Sequence, residues 1–281
     1  MNNLEFEPLV TIAIPSYNHS KYIQDSIKSA IQQTYKNIEL IIIDDGSKDN
    51  SITKIQELIT QCQDRFVRFE FRYRENKGLC NTLNEALEWS NGDYFCTLAS
   101  DDMMLPEKTK LQLDAFLADS SAVSICGGFY SIDENNKIIQ SNINAYREYT
   151  FYPIFMHRFN LPASSQMTKS HALKEVGGFN PNTTVEDWDL WLKLTKKYGK
   201  IIYIPYGLIH YRSHEDNLSK KLDIMYNAVM NIIKNYQDEP NYALAIYRIK
   251  KMYKVRPNQK KKPLHAIFLR LKYYVEYLQS K

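Results

Sequence analysis

Ile38-Glu39-Leu40-Ile41-Ile42-Ile43-Asp44-Asp45-Gly46-Ser47 is a short, β-branched apolar run that ends in an acidic turn. A run of this length bounded by turn residues reads as a buried strand over Ile38–Ile43. The pattern recurs on both sides. Upstream, Leu9–Pro15 is a second such run, followed by the polar loop Ser16-Tyr17-Asn18-His19-Ser20 and a helical period at Tyr22, Ile23, Ile27, Ala30 and Ile31. Downstream, Ile52–Cys62 reads as helix, Phe66–Tyr73 as strand and Leu79–Trp89 as helix. Tyr94–Leu98 is then a strand that runs into Ala99-Ser100-Asp101-Asp102. Strands alternating with helices predict a mostly parallel sheet flanked by helices. Ligands of such sheets bind beyond the carboxyl ends of the strands. Ser16–Asn18, Asp44–Ser47 and Ser100–Asp102 follow three of those ends, so they converge on one crevice.

Further on, Lys108–Phe116 reads as helix, Val123–Tyr130 as strand and Ser131–Asn136 as turn. Gln140–Met156 has no clear period and reads as a flexible or acceptor-facing segment. A strand and short helix over Ser165–Val176, a turn at Gly177–Asn180, a helix over Glu186–Tyr198 and a strand at Ile201–Ile204 complete the first 215 residues.

The 281 residues are 44% hydrophobic and 24% charged, which excludes a wholly disordered chain. No apolar run approaches the ~18 residues of a spanning helix. The first residues lack the basic-then-apolar order of a signal peptide, so a cytoplasmic protein is expected. Cys62, Cys80, Cys96 and Cys126 form no C-x-x-C pair and read as reduced, partly buried thiols. Charge is uneven. Residues 242–281 carry 11 Lys or Arg and one acid, whereas 1–241 carry 25 and 31, so a body of −6 bears a tail of +10.

Adjacent carboxylates such as Asp101-Asp102 repel unless a cation or donor intervenes, which a hard divalent ion bridging to phosphates can do. An exposed acidic turn is the plainer alternative, and it applies to Asp44-Asp45 as well. Glu186-Asp187-Trp188-Asp189 opens a helix, where acids favour the macrodipole. A carboxylate there can equally serve as a base over the crevice.

Seven segments occur in one order: Thr11–Asn18, Ile41–Ser47, Arg74–Gly78, Asn91–Phe95, Leu98–Asp102, Val176–Asn180 and Glu186–Leu192. This set closely resembles glycosyltransferase family 2, inverting enzymes of GT-A fold, over about residues 9–215. The resemblance implies a 1–215 catalytic domain and a helical, basic extension at 216–281. Pro15, Ser16 and Tyr17, with Asn18 beside them, would line a nucleotide pocket, Tyr17 packing on the base. Asp45 would accept from a uracil-like ring N–H, and Asp44 would support that loop. Ser100-Asp101-Asp102 matches the D-x-D position, Asp101 facing ribose or sugar hydroxyls and Asp102 holding Mn²⁺ or Mg²⁺ on the diphosphate. The first acid of that motif is Ser100 here, so metal holding rests on the other two. Asp187 matches the catalytic base. Tyr211-Arg212-Ser213-His214, with Asn217 and Ser219, resembles a closing segment from which His214 or Arg212 could reach the diphosphate or the metal. Arg74 and Lys77 would neighbour the phosphates or another part of the donor.

The implied function is transfer from a UDP-sugar to a glycan or lipid-linked acceptor in capsule, lipopolysaccharide or O-antigen synthesis. A nucleotidyltransferase is the alternative enzyme, but its usual Gly-rich loop is absent after the first strand. A basic nucleic-acid-binding module would use the tail, which carries no known motif, and no nucleic acid partner is expected. Tyr242–Tyr253 and Leu264–Leu278 instead have helical apolar spacing among Lys and Arg. That fits a peripheral contact with an anionic membrane, on its inner face, or helices packed on the catalytic domain or a partner copy.

Overall fold

A computed structural model describes residues 7–214 and 221–280. The first half follows the expected alternation: β1 (Val10–Ser16), α1 (Ile23–Ile31), β2 (Ile38–Asp44), α2 (Ser51–Gln56), α3 (Ile59–Arg65), β3 (Arg68–Tyr73), α4 (Leu79–Trp89) and β4 (Tyr94–Thr97). The single helix expected over Ile52–Cys62 is two short ones, interrupted at Glu57–Leu58. β5 (Met103–Met104), α5 (Lys108–Ala118) and β6 (Ala122–Ile132) follow. β7 (Ile138–Asn142), β8 (Arg147–Tyr149), α6 (Phe151–Phe155), β9 (Met167–Lys169), α7 (Ser170–Glu175), α8 (Glu186–Tyr198) and β10 (Lys200–Arg212) complete this part.

Gln140–Met156 is thus not irregular. It holds β8, α6 and the end of β7, and Tyr149, Ile154 and Phe155 are core residues. Elements of three to five residues are too short to display a period. The last strand also runs eight residues beyond Ile204, through Pro205, because register shifts around Ile204–Ile209 absorb the missing N–H.

The sheet runs β3-β2-β1-β4-β9-β6-β10-β5, with β7 against β6 and β8 against β10. β1 is parallel to β2 and β4, and β2 to β3. β9 is antiparallel to both β4 and β6, so β6 and its parallel neighbour β10 keep the direction of β1. The chain moves from β1 to β2 to β3 on one side and returns to β4 on the other. The crevice therefore opens between β1 and β4, where the connections diverge.

Two apolar clusters lie on the two faces of the sheet. One gathers Ile12, Ile14, Ile23, Ile27, Leu40 and Ile42. The other gathers Ile41, Leu83, Phe95, Trp188, Trp191 and Leu194. Alternate residues of β2 thus serve opposite faces, as both faces of a parallel sheet are covered. The four cysteines are buried and free.

After residue 221 come α9 (Leu222–Ile233), α10 (Tyr242–Lys250), a π turn (Lys251–Val255), α11 (Asn258–Lys261) and α12 (Pro263–Gln279). Val229, Ile232, Ile233, Ala245, Ile249 and Tyr253 join the cluster that holds Trp188 and Trp191. The first half of the basic extension therefore packs on the sheet domain. α12 buries only Ala266. No helix among the described residues is long and apolar enough to cross a membrane.

Candidate active site

β1 and β4 lie side by side and the chain leaves both at the same edge, so their loops meet. His19 Nδ1 is 2.7 Å from Ser100 Oγ, and Ser26 Oγ donates to the Ala99 carbonyl at 3.1 Å. The loop after β2 joins from the other side. Asp44 is fully buried and closes it, accepting from Ser47 N–H at 2.8 Å and from the Ser47 and Ser16 hydroxyls at 2.7 and 3.0 Å. Gly46 has φ +81°, and a Cβ there would come within 2.8 Å of the Asn76 nitrogen. Asn18 ties the two loops together, its N–H donating to Ser47 Oγ (2.8 Å) and its Oδ1 accepting from Lys48 N–H (2.7 Å).

These loops border a cavity of about 900 Å³, within the range of small-molecule sites. Pro15, Ser16, Tyr17, Asp45, Ser100, Asp101, Asp102, Asp187 and His214 all line it. Tyr17 is 46% exposed, an aromatic face open to a ligand. Asp45 accepts N–H bonds from Lys77 (2.8 Å) and Gly78 (2.9 Å) and pairs with the Arg74 guanidinium. A carboxylate has about four acceptor directions, so these three partners leave one for a ligand donor.

Arg74 and Lys77, expected as phosphate or donor neighbours, do not line the cavity. The Arg74 guanidinium is spent on Asp45, on Glu85 Oε2 (2.9 Å) and on Thr82 Oγ1 (2.9 Å), while Lys77 contributes its backbone N–H. Both act on Asp45, and Asn18, Arg74 and Lys77 lie outside the cavity wall.

Asp101 and Asp102 directly precede β5, which pairs antiparallel with β10 through Met104–Ile209 and Met103–His210. That register carries the acidic loop to Arg212 and His214, over a hundred residues away in sequence. Arg212 is fully buried and grips the loop: its N–H donates to Asp102 Oδ1 (2.9 Å) and its Nε to the Asp101 carbonyl (2.8 Å). Its Nη atoms reach the Asp133 carbonyl (3.1 Å) and Asp25 Oδ2 (3.3 Å), and the guanidinium stacks over Tyr22 at 4.5 Å. Burial and the neighbouring Asp101 charge push the Asp102 carboxyl well above the usual carboxylate range. His214 Nε2 lies 2.8 Å from Asp101 Oδ2. Donor atoms of His19, Asp101 and His214 all fall within 4.8 Å of one another, and Asp102, expected to hold the metal, is not among them. Two imidazoles and a carboxylate are a donor set that fits a divalent ion. Asn217 and Ser219 lie outside the described residues.

The remaining wall is the start of α8. Trp188 and Trp191 anchor it in the core, with Trp188 Nε1 donating to the Ile154 carbonyl at 3.0 Å. That anchoring turns Glu186 and Asp187 to the cavity. Burial raises the Asp187 carboxyl to about 6, against the pull of the Trp188 N–H on its Oδ1 (2.7 Å). Burial and the Asp187 charge raise Glu186 to about 8. The pair thus carries about one negative charge at neutral pH, on a group able to take a proton. Gly177 and Gly178 turn the chain ahead of this wall with φ +81° and +66°. Asn84 clamps the turn by exchanging two 2.8 Å bonds with the Phe179 backbone.

Four contributors were not singled out as site residues from the sequence, although Glu186 lies in the acidic cluster read as a possible base. Glu186, the Asn160–Ser164 stretch and Met225 of α9 line the cavity, and His19 joins the acidic loop. His19 was legible as the next residue after Ser-Tyr-Asn in the loop after β1. Met225 was not, since its place depends on how α9 packs.

The family model for Glycosyl transferase family 2 matches residues 11–176. An uncharacterized glycosyltransferase of Rickettsia conorii is 32% identical over 81% of this chain and 38% of its own length. Chondroitin synthase of Escherichia coli is 33% identical over 77% of the chain and 31% of its own length. The chain thus spans about a third of the length of these relatives. Residues 1–349 of S. aureus TarS, solved in complex with UDP-GlcNAc, superpose with a TM-score of 0.70 at 16% identity, covering 96% of this chain and 81% of that one. The shared architecture is the GT-A fold. With the motifs from Thr11–Asn18 through Leu98–Asp102 inside one family match, this chain belongs to glycosyltransferase family 2.

Proposed function

We propose that the chain transfers a sugar, with inversion, from a UDP-sugar to a hydroxyl of a glycan or lipid-linked acceptor during polysaccharide synthesis. The observation that carries this reading is one cavity whose wall holds Tyr17 and Asp45, the Ser100–Asp102 loop with its histidines, and Asp187. TarS was solved with UDP-GlcNAc, and the Escherichia coli relative makes a polysaccharide by its name, which supports a nucleotide-sugar donor and a glycan product. Capsule, lipopolysaccharide and O-antigen are all products of that class.

Tyr17 stacks on the base, and the free acceptor direction of Asp45 takes the ring N–H. Ser16 and Asp101 face ribose and sugar hydroxyls. His19, Asp101 and His214 would hold a divalent ion, Mn²⁺ or Mg²⁺, with Asp102 supporting their loop through Arg212. Such an ion compensates the negative charge of a departing diphosphate. Asp187 takes the acceptor proton as the hydroxyl attacks from the opposite face, a role worth ~10²–10⁴-fold in rate. A single base without a covalent intermediate gives inversion.

α12 is the element we assign to an anionic membrane surface. Leu264, Ile267, Phe268 and Leu271 are exposed at 82, 56, 60 and 62% beside Lys260–Lys262, Arg270 and Lys272. An apolar strip flanked by bases suits an interfacial helix, which would keep the protein at the inner face of the membrane.

Incubating the purified chain with UDP-, GDP- and dTDP-sugars, with and without Mn²⁺, tests the reaction. Nucleoside diphosphate should be released from UDP-sugars in a metal-dependent way and not by Asp187→Asn. Release from none of the donors under either condition sinks the reading.

A further inference from the structure

His19 lies in the loop after β1, outside every segment that carries the family resemblance except for its position next to Asn18. One donor atom from each of His19, Asp101 and His214 falls within 4.8 Å of the others. His214 Nε2 and Asp101 Oδ2 are 2.8 Å apart. Adjacent ligands about 2.1 Å from one ion sit about 3 Å apart in octahedral geometry, so that pair has the spacing of neighbouring ligands. The two imidazoles meet edge to face, with ring centroids 6.0 Å apart and planes at 83°. Rings that cross in this way can aim nitrogens at a common point without stacking on each other.

Each member is held from outside. Ser100 Oγ lies 2.7 Å from His19 Nδ1, which orients that ring and, with Nδ1–H donating, leaves the lone pair on Nε2. Tyr22 stacks on His214 at 5.9 Å. Arg212 holds the Asp101 carbonyl and the Asp102 carboxylate, so the loop bearing Asp101 is fixed by its own backbone.

We infer that His19 is a metal ligand, and that the site is a two-histidine, one-carboxylate triad which selects transition-metal ions over Mg²⁺. The inference rests on reading the cavity as a metal-assisted donor site and adds its ligand set and its ion preference. Mg²⁺ takes oxygen ligands and gives up water reluctantly, whereas imidazole nitrogens favour the later divalent ions. A site with two nitrogen donors and one oxygen should therefore bind Co²⁺ at least as tightly as Mn²⁺, and Mg²⁺ far more weakly.

The test is Mn²⁺ binding by the full chain without any sugar nucleotide, read by electron paramagnetic resonance of the free ion. Wild type should bind one Mn²⁺. A hundredfold excess of Mg²⁺ should leave most of it bound, and equimolar Co²⁺ should displace it. His19→Ala should weaken Mn²⁺ at least about tenfold, since losing even an outer hydrogen-bond partner of a ligand costs 10–100-fold. His19→Asp, which replaces a nitrogen donor with oxygen, should recover Mn²⁺ binding and let Mg²⁺ compete. Thermal melting of both variants checks that they fold. If His19→Ala binds Mn²⁺ as wild type does while Asp101→Ala does not, His19 is no ligand, and the metal-assisted reading survives without it. If Mg²⁺ displaces Mn²⁺ from wild type at parity, the selectivity is wrong. If the wild-type chain binds no divalent ion, both the triad and the reading beneath it fall.

Discussion

At the scale of the residue, Asp187 faces two opposed demands. Its carboxyl sits at about 6 because burial disfavours its charge, yet a base must be ionised to accept a proton. Activity should therefore fall as pH drops through about 6, and a kcat/KM profile measures that limb. The linkage sign is fixed by the same shift. A carboxyl raised in the folded state contributes stability below its unfolded value of 3.8 and loses it as pH rises through about 6. Asp187→Asn removes that loss. It should cut turnover by ~10²-fold or more while UDP still binds, and it should raise the melting temperature at pH 7.5 but not at pH 3.5. A variant that keeps near-normal turnover would remove Asp187 from the role of base. Arg212 carries a different expectation. Its fork satisfies the Asp101 carbonyl and carbonyls of the 133–134 turn, geometry that a lysine cannot reproduce. Arg212→Lys should weaken Mn²⁺ binding without touching UDP binding in the absence of metal. Calorimetry on both ligands separates that from a general loss of fold.

At the scale of the element, the segment from α6 into α8 shows what could and could not be read from the sequence. The period of α8 was plain because 13 residues make more than three turns, and its two tryptophans face the core as spacing requires. The loops after β1, β2 and β4 were legible for a related reason: buried strands end abruptly, and polar clusters stand out against them. α6, β7 and β8 were hidden by their shortness, and β10 by Pro205. The approach of His214 to Asp101 followed the family resemblance, but the place of His19 beside them was hidden because it depends on strand order, which no local pattern encodes. The same segment holds His157, half-buried against Trp188 with ring centroids 4.9 Å apart and its Nδ1 shut off from solvent. Burial, aided by the Arg248 charge, lowers its imidazole from 6.5 to about 4. A depressed histidine contributes stability above its unfolded value and loses it as pH falls from 6.5 toward 4, by up to about 3 kcal/mol. His157→Phe removes the titration while keeping an aromatic ring. Urea melts should show wild type losing ground against this variant between pH 7 and pH 4.5. A stability gap that does not change with pH would exclude the histidine as a source of acid sensitivity.

At the scale of the whole molecule, the basic extension divides into two parts with different physics, and where the chain is cut decides what is lost. The extension read as one amphipathic tail in sequence because both stretches share spacing and charge. In the structure, α10 and the π turn bury Ala245, Ile249, Tyr253 and Val255 at 0, 0, 9 and 1% exposure. Tyr253 also packs 5.9 Å from the His157 ring, which in turn meets Trp188 beside the proposed base. Burying an aliphatic or aromatic side chain is worth about 1.5–3 kcal/mol, so losing these residues approaches the 5–15 kcal/mol that holds a typical domain together. Deleting 242–281 should therefore precipitate the protein or lower its melting temperature steeply. α12 differs. It rests on α10 through Tyr247 stacked on Tyr277 at 5.7 Å and a Lys250–Glu276 pair at 2.6 Å, and it leaves most of its apolar side chains in solvent. Deleting 263–281 should leave the melting temperature nearly unchanged and preserve UDP release, because only Ala266 leaves the core. If α12 lies on an anionic leaflet, that same deletion should abolish co-sedimentation with phosphatidylserine vesicles, although Lys260–Lys262 remain, since charge without the apolar strip binds weakly. High salt should release the intact chain only in part, because screening weakens the attraction of the bases but not the insertion of Leu264, Phe268 and Leu271. Full-length protein that ignores such vesicles at low salt would refute the membrane assignment, and it would leave the exposed strip of α12 to be covered by protein rather than lipid.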